Sequence, residues 1–351
     1  MKQWLETRQV LAAIGALSRE GKRAALATVI RVRGSAYRHE GAKLVVGEDE
    51  AIMGNVSGGC LEEDVREVAR RVIASGVAER RSYCGGANEV AAWDLGVGCE
   101  GEVEILIEPV SGDHAAEHGL VVAEEAFVIV TDVGAALAAA DGGPRDGARR
   151  VIDGAAAADW IGDGASRLEM RGGRELFVDV LVPPPRLLIV SAGDDARHLA
   201  RLAEAVGFRV VVADRRPGLL APDQFPPGTR IVETDAARLG ERVVLDPESF
   251  AVVMTHHFAD DTDYLRALLQ SPVRYLVVLG PRQRTDRILG LLRSEGPVDE
   301  SRIFGPVGLD IGTDGAEQVA LAVVAEVLAV RSGRRPRSLR ERSAPIHTTG
   351  E

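Results

Sequence analysis

A chain of 351 residues is longer than one ordinary hydrophobic core fills, so two domains are expected. A net charge of −11 works against binding to nucleic-acid phosphates, and no run approaches the ~18 consecutive apolar residues of a membrane span. Cys60, Cys84 and Cys99 are odd in number and lack CxxC spacing, which supports neither a disulfide framework nor a zinc ribbon.

The N-terminus is charged and amphipathic, without the apolar run of a signal peptide, so a cytoplasmic location is expected. Leu5, Val10, Leu11, Ile14 and Leu17 recur at helical spacing and predict a helix over Trp4 to Ser18. The stretch AALATVIRVRGSAYRHEGAKLVV then reads as two β-rich runs around a polar, glycine-containing loop. Within that loop Gly34, Ser35, Arg38 and Lys43 are a candidate anion site; an ordinary polar hairpin explains the same residues.

GNVSGGCLEED, Gly54 to Asp64, raises the sharpest question. It places Cys60 between a glycine pair, Gly58 and Gly59, and a helix opening on Glu62, Glu63 and Asp64. One reading is a tight turn with a small buried thiol. The other is a sulfur beside backbone N–H groups that receive an anion or an electrophile. From Leu61 on, Val65, Val68, Ala69, Val72 and Ile73 share one helical face. EVEILIEPV is a strand stopped by Pro109. Between Ser111 and Val182 only AFVIVTDV and ELFVDVLV read as strands, and the segments around them remain unordered.

Pro183, Pro184 and Pro185 stiffen the chain into a connector between a domain over 1–182 and one over 186–335, with a basic tail over 336–351. After the prolines, apolar strands alternate with helices, which predicts a parallel sheet covered on both faces. The expected fold class is therefore α/β: an N-terminal mixed α/β domain followed by a C-terminal Rossmann-like doubly wound parallel sheet. Its first turn reads S-A-G-D-D-A, keeping Gly193 of the dinucleotide fingerprint, with Asp214 at the ribose position of the second strand. Asp194 and Asp195 oppose a pyrophosphate at that helix start. Thr255 and His256 end one later strand; Gly280, Arg282, Arg284 and Arg287 surround another helix start, either as an anion clasp or as a solvated face.

These pieces together resemble the XdhC/CoxI family, accessory factors of xanthine dehydrogenase and carbon monoxide dehydrogenase. The resemblance rests on TVIRVRGSAYRHEGAKLVV, GNVSGGCLEEDV and the IEP strand end, then PPPRLLIVSAGDDARHLARLAEAVGFRVVVADRRP, VVMTHHFADDTDYLRALL, YLVVLGPRQRTDRIL and GPVGLDIGTDGAEQ, in that order. It departs from the family where Ser191 and Asp194 replace a Gly and a His, and at Cys99-Glu100-Gly101. What it implies is a chaperone more than a turnover enzyme. Such a protein holds the molybdenum cofactor, as molybdopterin or its cytosine dinucleotide, supports its sulfuration by a cysteine desulfurase and delivers it to a molybdenum hydroxylase apoenzyme. On that reading Cys60 relays sulfur or contacts molybdenum. Ser35, Arg38, Lys43, Gly58, Gly59, Glu62, Gly193, Asp214, Thr255, His256, Gly280, Arg282 and Arg284 are its expected cofactor contacts. The rival is an NAD(P)-dependent oxidoreductase with Asp214 on the ribose; a third reading is a scaffold that binds the hydroxylase without a pterin. The first and last helices are candidates for a homodimer face.

Overall fold

Helix α1 (Lys2–Arg19) buries Val10, Leu11, Ile14 and Leu17 of the expected stripe, with Trp4 buried while Leu5 stays half-buried. The computed structural model describes all residues except 1, 35, 85–100, 111–112, 139–147, 163 and 342–351. The chain divides into two units, Met1–Pro183 and Pro184–Glu351.

In the first unit β1 (Ala24–Arg33), β2 (Lys43–Gly47), β3 (Ile52–Gly54), β4 (Glu79–Cys84) and β5 (Glu102–Pro109) form an antiparallel sheet ordered β3-β2-β1-β5-β4. Strand β1 is buried on both faces. Ala25, Ala27 and Val29 meet helix α2 (Glu62–Ser75), while Leu26 joins the cluster built around α1. Helix α2 has no side-chain N-cap at Leu61, a lack worth about 0.5–2 kcal/mol. Its buried Val65, Val68, Val72 and Ile73 contribute roughly 1.5–3 kcal/mol each, so packing decides the helix.

The stretch left unordered by the sequence forms a second antiparallel sheet. After α3 (Asp113–Ala123) come β6 (Phe127–Asp132), α4 (Val133–Leu137), β7 (Arg149–Asp153), α5 (Gly154–Ile161), β8 (Arg167–Arg171) and β9 (Arg174–Leu181), ordered β7-β6-β9-β8. The two runs read as strands are its central pair. Its edges, RRVID and RLEMR, are short and charged, with only two apolar residues in each.

The second unit holds β10 (Arg186–Val190), α6 (Asp194–Ala205), β11 (Arg209–Asp214), β12 (Arg230–Glu233), α7 (Leu239–Arg242), β13 (Phe250–Val253), α8 (Phe258–Leu269), β14 (Tyr275–Val278), α9 (Arg282–Glu295), β15 (Ile303–Phe304) and α10 (Ala316–Ser332). All six strands are parallel and ordered β12-β11-β10-β13-β14-β15, the 3-2-1-4-5-6 order of a Rossmann sheet. Leu188, Val190, Val211, Ala213, Ala251 and Val253 pack with α8 and α9; α6 packs on β10 and β11, and α10 on α6. Among the described residues no helix is long and apolar enough to cross a membrane.

Candidate functional site

The Gly54–Asp64 stretch lines a cavity of about 280 Å³ in the first unit, whose wall includes Arg38, Ser57, Cys60, Ser82, Tyr83 and Cys84. A larger cavity near Lys22 and Arg23, about 440 Å³, has no thiol on its wall. The sulfur-bearing cavity is therefore the candidate site.

Two glycines shape its loop. Gly58 and Gly59 have φ of 104° and 119°, a region L side chains rarely adopt. A Cβ on Gly58 would also stand 2.8 Å from the Tyr37 ring. Gly58→Ala is thus expected to destabilise the loop by about 1–2 kcal/mol and to move Tyr37, read as a lowered melting midpoint with a changed near-ultraviolet signal. An unchanged midpoint and signal would count against the tight fit.

The loop amides already hold an anion, and it is internal. The Glu62 carboxylate accepts from the backbone N–H groups of Ser57 (3.0 Å), Gly59 (2.9 Å), Val56, Gly58 and Leu61 (3.3 Å each), and from the Ser57 hydroxyl. Burial pushes this carboxyl up, but the Ser57 hydroxyl and the amides outweigh it and hold it below its ordinary 4.5. The expectation that Gly58 and Gly59 hold a ligand's anionic group therefore needs correction: in this structure Glu62 occupies them. Glu62 itself is turned into the loop.

Cys60 is exposed and free, so the reading of a small buried filler fails for it. Arg38 is buried at 9% exposure and paired with Glu6, yet its Nε has no hydrogen-bond partner among the described residues. Lys43 lies elsewhere. It is 2% exposed, paired with Asp179 and donating to the Gly41 carbonyl at 3.0 Å, which removes it from any solvent-facing anion site. Ser35 and Cys99 fall outside the described residues.

Cys84 joins the site without having been singled out. It ends β4, and the adjacent Tyr83 donates its hydroxyl to Asp64 Oδ2 at 2.5 Å, tying that strand end to the first turn of α2. Burial, then the Asp64 carboxylate, pushes the Tyr83 phenol well above its usual range, so it stays a donor. The only sequence signal for Cys84 was its being one of three cysteines.

In the second unit the remaining candidates stand at the strand ends. The Gly193 N–H donates to Ser191 Oγ at 3.1 Å. Asp214 accepts from the Ala192 amide (2.8 Å), the Arg216 amide (2.9 Å) and the Arg216 guanidinium (2.9 and 2.8 Å). Burial raises the Asp214 carboxyl and these donors, Arg216 first, more than reverse that. Both its oxygens are committed, and Asp194 and Asp195 open α6, so these residues do not fit a dinucleotide's ribose and pyrophosphate. His256, at φ 62°, places Nε2 3.2 Å from Asp195 Oδ2. Thr255 donates its amide (3.0 Å) and hydroxyl (2.6 Å) to the buried Asp261, which also pairs with Arg284 at 2.5 Å. That corrects the anion clasp: Arg284 is held by a carboxylate, while Arg282 and Gly280 stand at the start of α9 with Arg282 exposed. Among the described residues no group of three or more His, Cys, Asp or Glu could hold a metal ion.

The architecture defines a two-unit α/β protein, a mixed antiparallel unit carrying a thiol-lined cavity joined to a Rossmann unit. Residues 17–83 match the XdhC and CoxI family and residues 187–327 match the XdhC Rossmann domain; the chain belongs to the XdhC and CoxI family. It is 28% identical over 339 residues to a Bacillus subtilis protein named as a probable xanthine dehydrogenase subunit, covering 91% of this chain and 96% of that one. An Escherichia coli protein named "Molybdenum cofactor insertion chaperone PaoD" is 25% identical over 324 residues, covering 89% and 84%. The crystal structure of a xanthine dehydrogenase from Bacillus halodurans superimposes with a TM-score of 0.73 at 28% identity, covering 93% of this chain and 96% of the other.

Proposed function

We propose that this protein holds the molybdenum cofactor as cargo and delivers it to a molybdenum hydroxylase of the xanthine dehydrogenase kind. The observation that carries the reading is the cavity of the first unit. It combines an exposed, free Cys60 thiol with a buried Arg38 whose Nε–H is unanswered among the described residues. A thiolate binds soft metals, and a guanidinium N–H suits an anionic oxygen, so the pair matches a sulfur-ligated, negatively charged guest. The names of the Bacillus subtilis and Escherichia coli relatives support the same role.

Volume narrows the pose. At about 280 Å³ the cavity falls just below the roughly 300–1,000 Å³ of pockets that enclose a whole drug-sized ligand. It takes the metal end of the cofactor and leaves the pterin tail outside, whether that tail is molybdopterin's phosphate or a cytosine dinucleotide. A persulfide presented by a cysteine desulfurase reaches an exposed Cys60, which fits sulfuration of the cargo in the cytoplasm before delivery.

The test is the set of small molecules released on denaturing protein produced together with the cofactor pathway. Wild type is expected to release a molybdopterin species and Cys60→Ser about a tenth as much or less, a loss worth about 1.4 kcal/mol per tenfold. Equal release from both proteins removes Cys60 from the site. Release of a nicotinamide nucleotide with no pterin overturns the reading.

A further inference from the structure

The cavity has a second sulfur on its wall, Cys84, and nothing in the proposed delivery role yet uses it. Cys60 and Cys84 come from different elements, the loop before α2 and the end of β4. Two contacts bring those elements together. Tyr83, next to Cys84, donates at 2.5 Å to Asp64 in the first turn of α2, the helix that the Cys60 loop enters. Leu61, next to Cys60, packs in the same cluster as Tyr83 and Val103, and both of these line the cavity. Both thiols are exposed and unpaired, so neither is a core filler. Arg38 adds an independent sign of a ligand: a guanidinium nine-tenths buried on the same wall, held by Glu6 through its terminal nitrogens, with its Nε unpartnered among the described residues.

We infer that Cys60 and Cys84 act together as a two-thiol site for a thiophilic, oxo-bearing metal or metalloid centre, with the Arg38 Nε–H as the donor to its remaining oxygen. The inference deepens the proposed function, because it adds a second sulfur to the site that reading gives the cargo. The exchange is balanced without an oxidant or reductant. Each thiol gives up its proton, two sulfur–centre bonds form, one oxygen–centre double bond breaks, and that oxygen leaves as water. Two protein sulfurs need no full protein cage, since the centre brings its other ligands with it.

Phenylarsine oxide performs the same exchange and requires two thiols within one site, so it tests the geometry without any cofactor. Cys99→Ser protein, which keeps Cys60 and Cys84, is expected to bind one equivalent, to lose both thiols to alkylation and to recover them on adding a small dithiol. Adding Cys60→Ser or Cys84→Ser to that background is expected to weaken binding on the order of 100-fold, the loss of one arm of a chelate. Undiminished binding by the Cys84→Ser protein overturns the inference. So does failure of the Cys99→Ser protein to bind while its circular dichroism and melting midpoint match wild type. Should either second substitution disturb folding, thiol protection in the Cys99→Ser protein alone still decides, because one arsenical must shield both sulfurs. A protein that binds the arsenical but releases no molybdopterin overturns only the cargo reading.

Discussion

Lys43→Met is expected to destabilise the first unit by about 3–5 kcal/mol, read as a lower denaturant midpoint at an unchanged slope. Lys43 and Asp179 are each 2% exposed and form an ion pair between β2 and β9. Asp179 also accepts from Ser166 Oγ at 2.9 Å and Gln3 Nε2 at 3.2 Å, so the carboxylate is positioned from three sides. Removing the ammonium leaves that carboxylate buried with only neutral donors, which is far costlier than losing an exposed pair. Replacing both residues, as Lys43→Met with Asp179→Leu, is expected to recover a good part of the loss, because neither charge then needs solvation. A cofactor-binding Lys43 predicts the opposite pattern, with stability near wild type and pterin release reduced. A shift below about 0.5 kcal/mol, the range of an ordinary surface change, would sink the structural assignment.

Lys43 also shows where sequence reading stops. Its neighbours in the chain describe a hairpin loop, and a lysine beside a loop suggests an anion site. The partner that decides its role is 136 residues away. Glu62 misled in a similar way: three acids at a helix start signal the helix dipole, but only the fold shows one of them curling back to five amides. Local patterning did place α1 and α2, by a stripe at helical period, and β1, β2 and the Rossmann strands β10 to β14, by short apolar runs, most of them buried on both faces. ERRSYC, the strand that delivers Cys84, has no such period. It is held by pairing with β5 and by Arg80 between Glu104 and Glu175, partners that a polar six-residue stretch does not announce. The second sheet was half legible for the same reason, with its central strands apolar and its edges charged.

Glu62→Ala is expected to loosen the cysteine loop and to lower cargo retention together. A hydrogen bond to a charged acceptor contributes about 1.5–3 kcal/mol, and water takes back part of this at the exposed Gly58 and Gly59, so a total near the lower figure is expected. The local readout is hydrogen exchange: the amides of Gly59 and Leu61 should exchange markedly faster than in wild type. The pH dependence follows from the depressed Glu62 carboxyl. Its contribution is fully present above the ordinary value of 4.5 and is lost as the pH falls through the lower folded value. Glu62→Gln keeps one acceptor oxygen but removes the titrating charge, so the protection of its loop amides, measured against their intrinsic exchange at each pH, should no longer change across that window. If the amides instead awaited an external anion that Glu62 merely displaces, Glu62→Ala would bind inorganic phosphate at the loop and retain more pterin. Because Cys60 follows Gly59 directly, a loop without its carboxylate clamp presents the thiol over a wider range of positions, and retention should fall.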